Sequence, residues 1–177
     1  MKGHITILRD FLHAIKDESI ASILDAGSGR TSLSLITEVF PDTPVDAVVY
    51  PGDVRKLNSI SETAGAHKAV CAVEKDICSD TINKAYDVVV AHLLLGEATK
   101  FGHAFEELLS RLFAIQCKYL IIIDYLEDPT VREIDIGKMC DENHLSVIYK
   151  SYFQNEQPQV WETFTGVHNF GYLIKKL

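Results

Sequence analysis

An acidic residue and two glycines stand together in the segment Asp25-Ala26-Gly27-Ser28-Gly29. Apolar residues from Ile20 to Asp25 predict a short strand before it, and the stripe from Leu33 to Phe40 predicts a helix after it. Glycines at this spacing let backbone N–H groups approach a ligand closely, and the N-terminus of the following helix favours negative charge. A tight strand-to-helix turn without a ligand is the alternative. Asp25 favours a ligand-binding loop, because an acid at this position has no evident structural duty.

Polar side chains also stand at or just after later predicted strands, among them Asp53 and His92. Parallel strands of an open α/β sheet bind ligands beyond their carboxyl ends, so side chains at the ends of several strands converge on one site. A carboxylate there can accept hydrogen bonds from a ligand, and an imidazole can act as a base near neutral pH.

The hydrophobic periodicity predicts the elements that position these residues. We expect an amphipathic N-terminal helix at 5–17, strands at 20–25, 45–50, 69–73, 86–91 and 119–124, a long helix at 97–116, a helix at 128–143 and a C-terminal β-hairpin at 145–175. Strands that alternate with helices predict a mostly parallel sheet with helices on both faces, and a hairpin adds an antiparallel strand. The sequence contains no linker or repeat, so we predict one domain over residues 1–177.

In order and in register, these segments resemble the class I S-adenosylmethionine-dependent methyltransferases over nearly the whole chain. The family's first motif, acid-x-Gly-x-Gly-x-Gly, is matched by Asp25, Gly27 and Gly29, with Thr31 in place of the third glycine. Asp87-Val88-Val89-Val90 is similar to the family's fourth strand, which leads into the catalytic loop. The resemblance implies an α/β fold: a Rossmann-like three-layer αβα sandwich around a seven-stranded, mostly parallel sheet with one antiparallel strand from the C-terminal hairpin.

The resemblance also implies S-adenosylmethionine as the cofactor, with S-adenosylhomocysteine as its product. In the family, the glycine turn holds the methionine moiety and the ribose, and an acid after the third strand recognises the adenine amine. The turn here is Asp25–Gly29, and Asp76, followed by Ile77, occupies the adenine-binding position. Ala91 directly follows the segment Asp87-Val88-Val89-Val90, which is similar to the family's fourth strand, and the resemblance places it beside the cofactor. A second family acid binds the ribose hydroxyls, but Tyr50 stands at its position; Asp53 or Tyr50 itself would replace it, unless the two are a helix cap and a strand end.

The reaction implied is transfer of a methyl group from a sulfonium, an in-line displacement that the protein assists mainly by alignment. A weakly acidic hydroxyl acceptor would also need a base. His92 lies near the family's methyl-transfer point, and an ordinary histidine pKa suits this role. We therefore take His92 as the candidate catalytic residue. The alternative is a histidine that caps the next helix or contacts the cofactor through its backbone.

Charge and motifs favour a small-molecule acceptor. The chain carries 17 basic and 25 acidic residues, a formal charge of −8, which makes nucleic acid an unlikely partner. No Asp-Pro-Pro-Tyr or Asn-Pro-Pro-Tyr segment, typical of amino-methylation of bases or glutamine, follows the fourth strand. We expect the acceptor pocket to come from the N-terminal helix, the loop from His92 to Lys100 and the hairpin turn with Trp161. A minimal core of this kind often borrows walls from a second copy, so we predict a homodimer.

The remaining features concern compartment and metals. The charged N-terminus lacks the apolar run of a signal peptide, and no apolar segment approaches the roughly 20 residues of a membrane span. The four cysteines form no Cys-x-x-Cys pair, so we expect reduced thiols, a cytoplasmic protein and no zinc motif. Two other functions stay open: a nucleotide-binding oxidoreductase, because Gly27-x-Gly29-x-x-Ser32 loosely copies a dinucleotide fingerprint, and a non-catalytic interaction subunit.

Overall fold

The computed structural model describes residues 3–100, 102–125, 133–154 and 168–176. Its strands are β1 (Ile23–Asp25), β2 (Val45–Val49), β3 (Val70–Glu74), β4 (Tyr86–His92), β5 (Cys117–Tyr125), β6 (Ser146–Gln154) and β7 (His168–Lys175). Its helices are α1 (Gly3–Ala14), α2 (Arg30–Val39), α3 (Val54–Ala66), α4 (Leu94–Lys100), α5 (Phe105–Ala114) and α6 (Glu133–Glu142). The connection from β3 to β4, residues 75–85, contains no helix.

The seven strands form one sheet in the order β3-β2-β1-β4-β5-β7-β6. β1 to β5 pair in parallel, whereas β7 runs antiparallel to both β5 and β6. The predicted sheet with one antiparallel strand is therefore confirmed. Asp25, the last residue of β1, lies between Ala47 of β2 and Val90 of β4, so the ends of these strands meet at one edge.

The two faces of the sheet bury two apolar cores. Because side chains alternate along a strand, Ile23 of β1 contributes to the core under α1, α2 and α3, and its neighbour Leu24 contributes to the core under α4, α5 and α6. Ile121 and Ile122 of β5 divide in the same way. Helices, sheet and helices thus make three layers, as predicted.

The long helix predicted at 97–116 is wrong, because the structure has two helices there, α4 and α5. Gly102 interrupts them with a φ of +86°, a left-handed conformation that ends a helix. Apolar spacing continues through the break, since Phe105, Leu108 and Leu112 form the buried face of α5. Periodicity alone therefore joined two helices that the backbone separates.

Other boundaries shift by a few residues: the N-terminal helix predicted at 5–17 is Gly3–Ala14, and the first strand begins at Ile23 rather than Ile20. The helix signal Asp128-Pro129, Trp161 and the part of the hairpin turn at 155–158 lie outside the described residues. Among the helices of the described ranges, none combines the length and the apolar character that a membrane span requires.

Candidate functional site

The glycine turn is held to its neighbouring strands by backbone hydrogen bonds. Ala26 donates its N–H to the carbonyl of Val90 (2.8 Å), and Ser28 donates its N–H to that of Val48 (3.0 Å). The Ser28 hydroxyl donates to the Asp25 carbonyl at 2.9 Å. These bonds fix the turn across β1, β2 and β4, so the loop is rigid where a ligand would meet it.

Asp25 is a fully buried carboxylate at the centre of this turn. Its Oδ2 accepts a hydrogen bond from the Ser32 hydroxyl at 2.6 Å, and its Oδ1 is buried with no hydrogen-bond partner. Burial raises the pKa of Asp25 to about 6, although the Ser32 hydrogen bond acts in the opposite direction. A buried oxygen without a hydrogen-bond partner costs free energy, so the carboxylate of Asp25 lowers the stability of the folded protein.

Gly27 lies directly beneath the start of α4. A Cβ at this position would lie 2.7 Å from Leu94 Cδ1 and 3.1 Å from Leu94 Cβ. The first turn of α4 is itself held by Asp124 of β5, whose Oδ2 accepts the N–H groups of Leu95 (3.0 Å) and Gly96 (3.2 Å). A larger residue at position 27 would therefore require Leu94 to move.

A cavity of about 380 Å³ opens at the carboxyl ends of β1, β2 and β3. Six of the sequence-predicted residues line it: Ala26, Gly27, Tyr50, Asp53, Asp76 and Ile77. The others, Asp25, Ser28, Gly29, Ala91 and His92, are not among its lining residues, and the first two of these hold the turn from behind. The geometry thus brings residues from three predicted strand ends to one cavity.

The residues at the tip of β2 have different surroundings. Tyr50 is 45% exposed, and its ring meets the His103 ring edge-on at 6.3 Å between centroids. Asp53 caps α3, since its Oδ1 accepts the N–H of Lys56 at 3.0 Å. The helix-cap alternative for Asp53 is therefore observed, and Asp53 also lines the cavity.

Asp76 organises the loop after β3 through its carboxylate. Oδ1 accepts the N–H of Cys78 at 2.8 Å, and Oδ2 accepts the Ser79 hydroxyl at 2.9 Å. In return, the Asp76 N–H donates to Asp80 Oδ2 at 2.9 Å. This reciprocal bonding replaces the missing helix between β3 and β4 and holds the loop against the cavity.

The sequence did not single out ten further residues that line the cavity, among them Lys56, Lys75, Cys78, Leu94, Glu97 and His103. His103 falls within the long helix predicted at 97–116, but it lies in the turn between α4 and α5. Its Nε2 is buried without a hydrogen-bond partner and lies 4.0 Å from Asp76 Oδ2. Cys78 is 6% exposed, and burial, with the nearby Asp76 carboxylate, raises the pKa of its thiol to about 11. Gly102 is the residue that could have indicated the break between α4 and α5, since a glycine inside an apolar repeat can mark a helix end.

His92 ends β4 in a second buried polar cluster. Its Nε2 lies 2.9 Å from Nδ1 of His4 on α1, and the His4 N–H donates to Asn169 Oδ1 on β7 at 3.1 Å. Burial and the neighbouring His4 lower the pKa of His92 to about 3. The expectation that His92 keeps an ordinary pKa is therefore wrong, because the sequence gives no sign that α1 covers this ring; its catalytic role stays a prediction.

Within the described ranges, a seven-stranded sheet with one reversed strand, three helices on each face and a glycine turn at the end of β1 make up the class I methyltransferase fold. No protein-family model and no curated protein sequence matches the chain. Solved structures match it by fold. One is the 1,6-didemethyltoxoflavin-N1-methyltransferase of Burkholderia thailandensis, solved with its substrate and S-adenosylhomocysteine (TM-score 0.67, 16% identity, 98% of this chain and 78% of that one).

Two other matches have similar scores. The N-methyltransferase NodS of Bradyrhizobium japonicum WM9, in complex with S-adenosylhomocysteine, gives a TM-score of 0.72 at 10% identity, covering 97% of this chain and 85% of that one. A proposed RNA methyltransferase from Pyrococcus horikoshii gives 0.71 at 20% identity, covering 98% and 83%. At these identities the likeness is one of fold.

Proposed function

We propose that this protein is an S-adenosylmethionine-dependent methyltransferase that acts on a small-molecule acceptor by direct in-line transfer. The observation that carries the proposal is the cavity in which Gly27, Asp53 and Asp76 meet from three strand ends. Its volume of about 380 Å³ lies in the range of small-molecule sites. Two proteins of the same fold, the 1,6-didemethyltoxoflavin-N1-methyltransferase and NodS, were solved with S-adenosylhomocysteine, which supports the same cofactor here.

The residues of the site fit this cofactor chemically. Asp25 lies behind the glycine turn and outside the cavity lining, so it would act on the cofactor by holding that turn in place through Ser32. Asp76 would accept from the adenine amine beside Ile77, and Tyr50 or Asp53 would contact the ribose. Around them, Ala26, Gly27, Ser28, Gly29 and Ala91 would complete the cofactor site as backbone and packing positions.

When bound, the cofactor supplies an electrophilic methyl group on a sulfonium. The protein's own contribution is to bind, orient and exclude water, which can supply several kcal/mol of the barrier reduction. His92, with a pKa near 3, is uncharged at neutral pH and poorly matched to a base role. We therefore favour an acceptor whose nucleophilic atom attacks without losing a proton first, such as a neutral nitrogen, over a hydroxyl.

Substitution of His92 tests this choice. If His92 acts as a base, His92→Ala should lower turnover while leaving the affinity for S-adenosylhomocysteine unchanged. If neither quantity changes, His92 has no catalytic role and its pairing with His4 is structural. His13→Ala, an exposed position on α1, is the control for loss of an imidazole.

Isothermal titration tests the proposed cofactor. We expect micromolar binding of S-adenosylhomocysteine and no response to NAD; the opposite result would identify a nucleotide-binding oxidoreductase instead. Asp25→Ala should weaken S-adenosylhomocysteine binding about tenfold or more, because the turn loses the hydrogen bond that Ser32 donates to the Asp25 carboxylate. Unchanged affinity in Asp25→Ala would mean that the cofactor binds elsewhere.

One observation favours a second candidate, a methyltransferase-fold subunit that binds a partner and no cofactor. Tyr50 stands at the tip of β2, where the family carries its ribose-binding acid, and Asp53 is engaged as the cap of α3. Thermal unfolding separates the two candidates, since a ligand at 100 times its Kd adds about 2.7 kcal/mol to stability. No shift with S-adenosylmethionine or S-adenosylhomocysteine favours the subunit.

The acceptor itself requires a screen. The net charge of −8 disfavours nucleic acid and supports a small molecule. Purified protein, a labelled methyl donor and fractionated cell extract would show which fraction becomes methylated. Label in a low-mass fraction supports the proposal, and label in RNA or DNA contradicts it.

A further inference from the structure

Three side chains that commonly bind metals converge at one end of the cavity. Asp76 and Cys78 come from the loop after β3, and His103 comes from the turn between α4 and α5. One ligand atom from each, a carboxylate oxygen, a thiol sulfur and a ring nitrogen, all lie within 4.8 Å of one another. Within the described ranges, no second group of three such side chains comes this close together.

The imidazole of His103 lacks a hydrogen-bond partner at the atom that faces this group. Its Nε2 is buried and lies 4.0 Å from Asp76 Oδ2, which is too long for a hydrogen bond. The backbone N–H of His103 donates to the Ala98 carbonyl at 3.2 Å, which holds the main chain of the turn, and the Tyr50 ring packs edge-on against the imidazole. A buried nitrogen without a partner indicates that something else binds there.

The carboxylate of Asp76 is also oriented in advance. Cys78 N–H donates to Oδ1 and the Ser79 hydroxyl donates to Oδ2, so both oxygens are fixed. Each carboxylate oxygen accepts about two hydrogen bonds or ligand bonds, which leaves one site on Oδ2 toward His103. Hydrogen bonds of this kind orient the ligands of known metal sites.

We propose that Asp76, Cys78 and His103 bind one zinc ion, with the fourth coordination position open to the cavity. A mixture of sulfur, nitrogen and oxygen ligands suits zinc, whereas magnesium and calcium require oxygen ligands. Tetrahedral zinc holds such ligand atoms roughly 3.3–3.6 Å apart. The observed separations of up to 4.8 Å therefore close by small side-chain rotations. The Cys78 thiol loses its proton to solvent as the zinc–sulfur bond forms.

The position of the site makes zinc a competitor of the cofactor. Asp76 is the residue assigned above to the adenine amine, and a zinc ion bound to its carboxylate would occupy the same space. This consequence rests on the proposed function, whereas zinc binding does not. Zinc and S-adenosylhomocysteine should therefore exclude each other.

Cobalt titration tests the metal site without reference to the cofactor. Chelator-treated full-length protein is titrated with Co²⁺, whose bond to a thiolate gives a charge-transfer absorption in the near ultraviolet. We expect one equivalent of Co²⁺ to produce this band and one equivalent of Zn²⁺ to abolish it. No band in the wild-type protein would overturn the proposal, and this measurement depends on no variant.

Substitutions test which side chains bind the metal ion. Cys78→Ser should abolish the band, and His103→Ala should weaken Zn²⁺ binding, measured against a chromophoric chelator, by at least about 100-fold. The matched controls are Cys71→Ser, an exposed thiol on β3, and His13→Ala, an exposed imidazole on α1; both should bind metal like the wild type. Loss of the band in Cys71→Ser, or its retention in Cys78→Ser, would overturn the assignment.

A titration of S-adenosylhomocysteine with and without saturating Zn²⁺ separates the two proposals. An affinity at least tenfold weaker in zinc supports exclusion, and equal affinities would overturn it while leaving the metal site intact. If S-adenosylhomocysteine does not bind in either condition, the proposed function fails, whereas the cobalt spectrum still decides the zinc site.

Discussion

Asp25 is a buried side chain whose negative charge lowers the stability of the folded protein. The pKa of Asp25 is about 6 in the folded protein and 3.8 in an ordinary aspartate, so the folded state binds more protons between about pH 4 and 6. The free energy of unfolding therefore falls as pH rises through this interval and is constant above it. A difference of about two pKa units corresponds to roughly 3 kcal/mol.

We expect Asp25→Asn to remove this pH dependence, because the amide carries no charge to bury. At pH 7 the variant should be more stable than the wild type by up to about 3 kcal/mol, and at pH 4 the two should be similar. Urea unfolding at both pH values measures this. Asp10→Asn, at an exposed position on α1, is the control, and an equal difference at the two pH values would contradict the explanation.

The two glycines of the turn should respond differently to a methyl group. Gly27→Ala places a Cβ 2.7 Å from Leu94 Cδ1 and 3.1 Å from Leu94 Cβ, so the Leu94 side chain must move, at a cost of about 1–3 kcal/mol. Gly29→Ala meets nothing within 4 Å and should leave stability nearly unchanged. Thermal unfolding of both variants is the measurement; equal losses would show that the contact with Leu94 has no cost.

At the scale of the elements, the turn between α4 and α5 depends on the left-handed backbone conformation of one residue, Gly102. Gly102 has a φ of +86°, so Gly102→Ala should cost about 1–2 kcal/mol. Gly65→Ala, in α3 with open space around its Cβ, should instead stabilise the protein by about 0.5–1 kcal/mol. Chemical denaturation gives both values. A neutral Gly102→Ala would show that the turn accepts another conformation.

Helix α1 packs directly on β7 at Gly171, where an added Cβ would contact Ile7 and lie 2.9 Å from Phe11 Cε2. Both neighbours belong to the buried core, so Gly171→Ala should destabilise the protein by about 1–3 kcal/mol. Gly137→Ala, in α6 with its nearest neighbour 3.6 Å away, is the matched control and should not destabilise. If the two variants unfold alike, α1 is not held by this contact.

For the whole molecule, the last strand of the sheet bears on the predicted homodimer. β6 carries four of the exposed large apolar side chains, Val147, Ile148, Tyr149 and Tyr152, each 38–53% exposed. A strand edge of this kind favours pairing with another chain. We expect sedimentation velocity to show a dimer that Ile148→Lys dissociates and that Val54→Lys, at the start of α3, does not. A monomeric wild type would contradict the prediction.

The sequence predicted the fold well because its information is local. Alternating apolar strands and helical stripes determine which face of each element is buried, and the glycine turn marks the end of β1. The prediction failed at 97–116, where the apolar spacing continues across a helix break. A break of four residues, 101–104, leaves almost no trace in hydrophobic periodicity.

By itself, the sequence predicted the alternation of strands and helices, the mostly parallel sheet with helices on both faces, and the strand ends at which a ligand would bind. Only the tertiary structure decided which of these residues meet in the cavity, and it added His103 and Cys78 to them. It also buried His92 against His4, and burial together with the neighbouring imidazole lowers the pKa of a histidine that the sequence presents as ordinary. The physical reason is that hydrophobic pattern follows the neighbours along the chain, whereas pKa values and ligand sets depend on distances between segments far apart in sequence.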